Sequence, residues 1–184
     1  MSDLKDLSMA RKRIMIFGLP GSGKSHFAKQ LHLATGLPLF HLDKIFFKEG
    51  WVEENANVFL SKQRALVDAD HWIIDGNSLS SLDVRWARAD LVLYFHLPRL
   101  LCLARLIKRR FFKDRSIDDR APLCPEVLRF RLIKYMWGFQ SRVHPRIDVL
   151  RTTYPLTSFQ EITSLKEQKV LLQSLMRDHT GKTS

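Results

Sequence analysis

The densest chemistry in the chain lies in eight residues near its start, GLPGSGKS, Gly18–Ser25. They fit G-x-x-x-x-G-K-[ST], the signature of a phosphate-binding loop. Glycines let the backbone fold tightly enough for several N–H groups to converge on one phosphate. A helix opening at the end of the loop adds its own partial positive charge. Lys24 is placed to reach terminal phosphates, and the Ser25 hydroxyl to ligate Mg²⁺. The predicted phosphate cradle is therefore Gly18, Pro20, Gly21, Ser22, Gly23, Lys24, Ser25 and the adjoining His26. No N-K-x-D element occurs later in the chain, which favours adenine over guanine and makes ATP with Mg²⁺ the expected pair.

Two acids and a basic run supply the rest. Asp75 closes WIIDG, an apolar run, where a carboxylate can hold magnesium through water beside the loop hydroxyl. Asp43 in HLDKIFFKEGW is expected at another strand end, able to take a proton from a substrate hydroxyl or to bind metal. Phe46, Phe47 and Trp51 either wall a substrate pocket or form the core of a small lobe. His41 reads as structural. In RLIKRRFFKDRSIDDR, Arg105 and Arg109 are four apart and share a helix face. Arginines so placed neutralise charge developing on a transferring phosphoryl group. A loop after them is expected to close and exclude water. Asp114, Asp118 and Asp119 interrupt this basic run, which argues against a pure nucleic-acid patch.

These residues need elements to position them. RIMIFG (Arg13–Gly18) reads as a buried strand, and a helix over Lys24–Thr35 is stopped by Gly36. Further strands are expected over Leu37–Asp43, His71–Asn77, Asp90–Pro98 and, more weakly, Leu156–Thr163. Helices are expected over 53–69, 99–112, 125–138, part of 141–151 and 164–176. Strands alternating with helices predict parallel βαβ units in a three-layer α/β domain. Such sheets bind ligands at the carboxyl ends of their strands. The loop, Asp43 and Asp75 all fall there.

The totals are consistent with one domain. The chain has 184 residues, 45% of them hydrophobic, with 12 Phe and 4 Trp for a core. No stretch of about 18 uncharged apolar residues predicts a membrane span. The opening MSDLKDLSMARKR has no apolar h-region or small-residue cleavage site, so no secretory leader is expected. Cys102 falls on an apolar helix face and Cys124 has no evident chemistry; two cysteines cannot complete a structural zinc site. A reducing, cytoplasmic location is the expectation. The net charge of +11 is concentrated, with 14 Lys/Arg against 5 Asp/Glu in residues 99–151. That surplus suits either a nucleotide-like polyanion or nucleic acid.

GLPGSGKS, HLDKIFFKEGW, WIIDGN and LPRLLCLARLIKRR together resemble the topology-modulation (FlaR-type) proteins, small P-loop proteins allied to adenylate kinase and the nucleoside monophosphate kinases. The resemblance spans about Arg13 to Leu175. It implies a five-stranded parallel sheet of order 2-3-1-4-5, a small substrate-binding region over about 43–70 and a lid over about 111–125, all in a single domain of residues 1–184. It implies that Asp75 supports Mg²⁺ through water, that Arg105 and Arg109 contact phosphate, and that Arg115 and Arg120 do so from the lid. Adenylate kinases follow their Asp-Gly with a Phe-Pro-Arg that helps seat the monophosphate. Asn77-Ser78-Leu79 stands here, and Arg85 and Arg88 are the nearest substitutes.

Two functions follow. The first is an ATP-dependent phosphotransferase acting on a nucleotide or another small molecule, with Lys24, Asp43, Arg105 and Arg109 catalytic, and Ser25 and Asp75 on the metal. The alternative is a nucleic-acid-associated P-loop ATPase affecting DNA topology, with residues 99–151 as its contact surface. For the first, the adenine site is expected near the lid helix and Thr163–Leu165.

Overall fold

The computed structural model describes residues 12–111 and 130–180. Apolar runs become the central strands because both faces of the sheet are covered, so side chains on either side must leave water. Ile14, Met15, Ile16 and Phe17 of β1 (Arg13–Gly18), all of β5 (Trp72–Asp75) and all of β6 (Leu91–Phe95) are buried. The short β2 (Leu39–His41) and β7 (Ser158–Ile162) form the partly exposed edges. The sheet is parallel throughout, ordered β2-β5-β1-β6-β7. Counting only its own strands, this is 2-3-1-4-5; the offset in numbering comes from two short hairpin strands that intervene in the chain.

Helices cover both faces. α1 (Lys24–Thr35) packs beside α8 (Leu165–Thr180), and its Phe27 meets Phe95 edge-on at 5.3 Å. Phe17 and Tyr94, paired in register, point to the opposite face and stack at 5.0 Å. There they meet Trp86 of α4 (Leu82–Trp86) and Phe139 of α7 (Phe139–Thr153). α3 (Ala56–Val67) lies beside α4. α1 ends where expected: Gly36 adopts φ 71° and its N–H returns to His32 O at 2.8 Å. Asn55 caps α3, its side chain accepting from Asn57 N at 2.9 Å, so that helix starts later than residue 53.

Between β2 and α3 lies a small aromatic lobe. It comprises α2 (Leu42–Phe46), strands β3 (Phe47–Lys48) and β4 (Val52–Glu53) in an antiparallel hairpin, and a tight helical turn over Glu49–Trp51. Here the expected second strand is corrected. It ends at His41, and Asp43 sits in the first turn of α2 rather than at a strand end. α5 (Arg99–Phe111) matches the expected helix closely, and α6 (Phe130–Trp137) precedes α7. The expected lid over 111–125, beyond Phe111, lies outside the described residues, as do Arg115, Arg120 and Cys124. Among the described residues no helix is long and apolar enough to cross a membrane.

Candidate functional site

The phosphate-binding loop turns out of β1 beside β6, where Leu19 N donates to Phe95 O at 3.2 Å. α5 then presses on it. A Cβ on Gly21, whose φ is 79°, would stand 2.4 Å from Cys102 O and 2.9 Å from Leu106 Cγ. Only glycine fits that approach. Arg105 Nη1 donates to Ser22 O at 3.2 Å, so the helix bearing the basic residues is docked directly onto the loop. Ser22 is buried, and Gly23 opens α1 at φ 91°.

The loop faces a cavity of about 630 Å³. Lys24, Ser25 and His26 line it, with Pro20, Gly21 and Gly23. Asp43, Asp75, Arg105 and Arg109 line the same space. Residues from four separate segments thus meet around one volume. Gly18 and Ser22 do not line it. Gly18 instead holds the strand end, its N–H donating to Asn77 Oδ1 at 2.9 Å. Lys108, between the two arginines, is exposed. Cys102 is buried, as its apolar face implied.

Asp75 is nearly fully buried. Burial alone would raise its pKa. The hydrogen bond from His41, the charge of Lys24 and the Ser25 hydroxyl outweigh this and hold the carboxyl below the usual aspartate range. His41 Nδ1 lies 3.0 Å from Asp75 Oδ2, donating to the carboxylate. Asp75 Oδ1 is buried with no hydrogen-bond partner among the described residues. His41 is therefore the residue that sequence reasoning missed. No sequence signal marked the pairing, which comes from the register of β2 on β5 that sets His41 beside Asp75.

The far wall is aromatic. Phe46, Phe47, Trp51 and Phe59 line the cavity and also pack on one another, with Phe46–Phe47, Phe46–Phe59 and Phe47–Trp51 rings 4.7, 4.9 and 5.0 Å apart. Pocket wall and lobe core are the same side chains. Trp51 adopts φ 66°, the one positive φ at a non-glycine among the described residues. A left-handed aromatic residue carries strain of about 1–2 kcal/mol, held here by its ring packing. Leu132 and Tyr135 of α6 complete the wall, and nothing in their spacing marked them beforehand. Burial raises the Tyr135 pKa to about 12, Arg142 opposing and Asp43 adding to the rise, so its hydroxyl stays protonated.

Arg85 and Arg88, the nearest substitutes for the missing Phe-Pro-Arg, do not line the cavity. Arg85 is fully buried, donating to Gly76 O at 3.0 Å and Ser78 O at 2.7 Å. It staples the turn after Asp75 and stays out of the cavity lining. Arg88 donates to Val67 O at 3.3 Å. The turn at Thr163–Leu165 does not line the cavity either. Thr163 N donates to Glu167 Oε2 at 2.8 Å, at the start of α8.

No family model matches the chain, and no curated protein matches it. Solved structures do. Shikimate kinase from Acinetobacter baumannii in complex with shikimate is 16% identical, with a TM-score of 0.56, covering 98% of this chain and 99% of its own. Shikimate kinase from Aquifex aeolicus is 14% identical, with a TM-score of 0.50 over 92% and 96% of the two chains. The narrower topology-modulation resemblance gains no support from these matches. What they establish is architecture: the chain has a three-layer α/β fold like that of shikimate kinase.

Proposed function

We propose that the chain is an ATP-dependent phosphotransferase whose acceptor is a small molecule bound between the phosphate loop and the aromatic lobe. One observation carries this reading: a phosphate-binding loop, two acids and two arginines from four separate segments line a single cavity.

In the donor half, the loop from Gly18 to Ser25 cradles the phosphates of ATP, with His26 at its rim. Lys24, Arg105 and Arg109 neutralise charge on the transferring phosphoryl group, which supplies most of the rate in chemistry of this kind. The buried, unpartnered Asp75 Oδ1 and the Ser25 hydroxyl form a hard-oxygen donor pair suited to Mg²⁺, directly or through water. When bound there, Mg²⁺ would screen the phosphate charges. His41 fixes the Asp75 carboxylate through Oδ2 and leaves Oδ1 for that task.

In the acceptor half, Asp43 receives the proton of an acceptor hydroxyl as its oxygen bonds to the γ-phosphorus; the bond to the bridging oxygen breaks and ADP leaves. The aromatic walls favour an acceptor with an apolar face. Arg85 and Arg88 are held by backbone carbonyls, which leaves Arg105 and Arg109 as the arginines of the cavity among the described residues. That supports a hydroxyl-bearing acceptor over a nucleoside monophosphate. The same two arginines line a concave pocket together with the loop and both acids, which favours the kinase reading over a nucleic-acid ATPase.

The test is ADP release measured against panels of nucleoside monophosphates, nucleosides, sugars and small hydroxy acids. A hydroxyl compound is expected to stimulate turnover well above the acceptor-free rate. Stimulation by DNA alone would favour the ATPase reading instead.

A further inference from the structure

A second cluster of ligating side chains lies outside the cavity, on the α7 side of the sheet. His96 follows β6, Glu161 lies on β7 and His144 on α7, and their donor atoms all fall within 4.8 Å of one another. We propose that these three residues form a binding site for a borderline transition-metal ion, Zn²⁺ above all. Two imidazoles and a carboxylate are the donor set that zinc takes when one position is left to water.

The surroundings orient the ligands. Arg99 donates to Gln140 Oε1, which turns the amide so that its Nε2 donates to His96 Nε2. The His96 proton therefore sits on Nδ1, donated to Glu161. His144 Nε2 lies 3.4 Å from the Tyr94 hydroxyl, and its ring stands 5.2 Å from that of His96 at 77°. Tyr94 and His96 share a sheet face and stack at 5.4 Å, which restrains His96 further. The three ligands come from different segments, just after β6, on β7 and on α7, so their convergence is a product of the fold.

Adjustments of about an ångström bring the donors onto a coordination sphere of ~2 Å radius. The ion takes the place of the Nδ1 proton, which moves to Nε2. Gln140 accepts it by turning its amide to present Oε1, releasing Arg99. An amide or carbonyl acceptor on the far nitrogen is the usual outer-shell partner of a metal-bound histidine. The ion ties the carboxyl ends of β6 and β7 to α7. This site is independent of the phosphotransfer reading.

The test uses untagged full-length chain stripped of metal with a chelator. Co²⁺ titration is followed by visible absorption, and Zn²⁺ titration by calorimetry and thermal melting. One Zn²⁺ per chain is expected, with a rise in Tm. His144→Ala and Glu161→Gln are each expected to weaken binding at least about tenfold. His144 is exposed, so its alanine variant keeps the wild-type circular dichroism. Asp75→Asn is expected to bind as wild type does. Absent binding to the wild type, equal affinity in H144A and E161Q, or loss of the site in D75N overturns the proposal.

Discussion

Lys24 is the residue on which most depends. It sits at the loop's end, lines the cavity and places its charge near Asp75. Lys24→Ala is expected to lower kcat by at least about a hundredfold, the loss typical for one preorganised charge partner. Its circular dichroism and Tm should stay close to wild type, because the side chain is only half-buried. An undiminished rate in that variant would end the phosphotransferase reading. In the proposed reaction Asp43 serves the acceptor half of the site. Asp43→Asn keeps hydrogen bonding but removes the base, so steady-state kinetics should show kcat reduced by about 10²-fold with the KM for ATP little changed. A rise in the KM for ATP alone would place Asp43 on the donor side.

At the scale of elements, the docking of α5 on the phosphate loop decides the geometry. Gly21 is the contact point, and its neighbours there are backbone and a packed leucine. Gly21→Ala should therefore displace the loop, raise the KM for ATP and lower Tm. Gly36→Ala is the matched control. Its φ of 71° is equally left-handed, but a Cβ there meets nothing within 4 Å. It should cost about 1 kcal/mol in urea unfolding and leave the KM for ATP unchanged. Equal kinetics in the two variants would show that the α5 contact does not shape the loop. Both glycines occur in turn-like contexts in sequence, yet only the fold distinguishes them, since the helix that crowds Gly21 lies about 80 residues downstream. The aromatic lobe shows the same division. Its aromatic residues were evident, but their sharing of one wall with Leu132 and Tyr135 was not.

At the scale of the whole molecule, Asp90 joins strands opposite the ligand end. It accepts from the backbone of Lys12 and Arg13 at 3.1 and 2.9 Å, and from Arg13 Nη2 at 2.6 Å. Burial raises its pKa, but the Arg13 side chain and the backbone N–H bonds prevail and hold it below the ordinary range. A carboxyl with a depressed folded pKa stabilises above its unfolded value, about 3.9, and loses that contribution as pH falls through the folded value. Asp90→Asn is thus expected to cost about 1–2 kcal/mol near neutral pH. The difference from wild type in urea melts should shrink progressively below about pH 4. A difference that stays constant with pH would mean the site works through shape alone.

The sequence by itself determined the alternation of elements, the position of the glycine-rich loop between β1 and α1, and the strand-end position of Asp75. These are local: periodicity, glycine stops and apolar runs need only neighbours a few residues away. The placement of β1 between β5 and β6 matched the order implied by the family resemblance. Tertiary structure alone decided what each polar group meets. It paired His41 with Asp75, fixed Arg85 on two carbonyls rather than in the cavity, and moved Asp43 from a strand end into a helix turn. It also gathered His96, His144 and Glu161 from three separate segments. Partnerships such as His41–Asp75, 34 positions apart, and His96–Glu161, 65 apart, leave no periodic trace, because they depend on strand register and helix docking, which are settled only when the whole core packs.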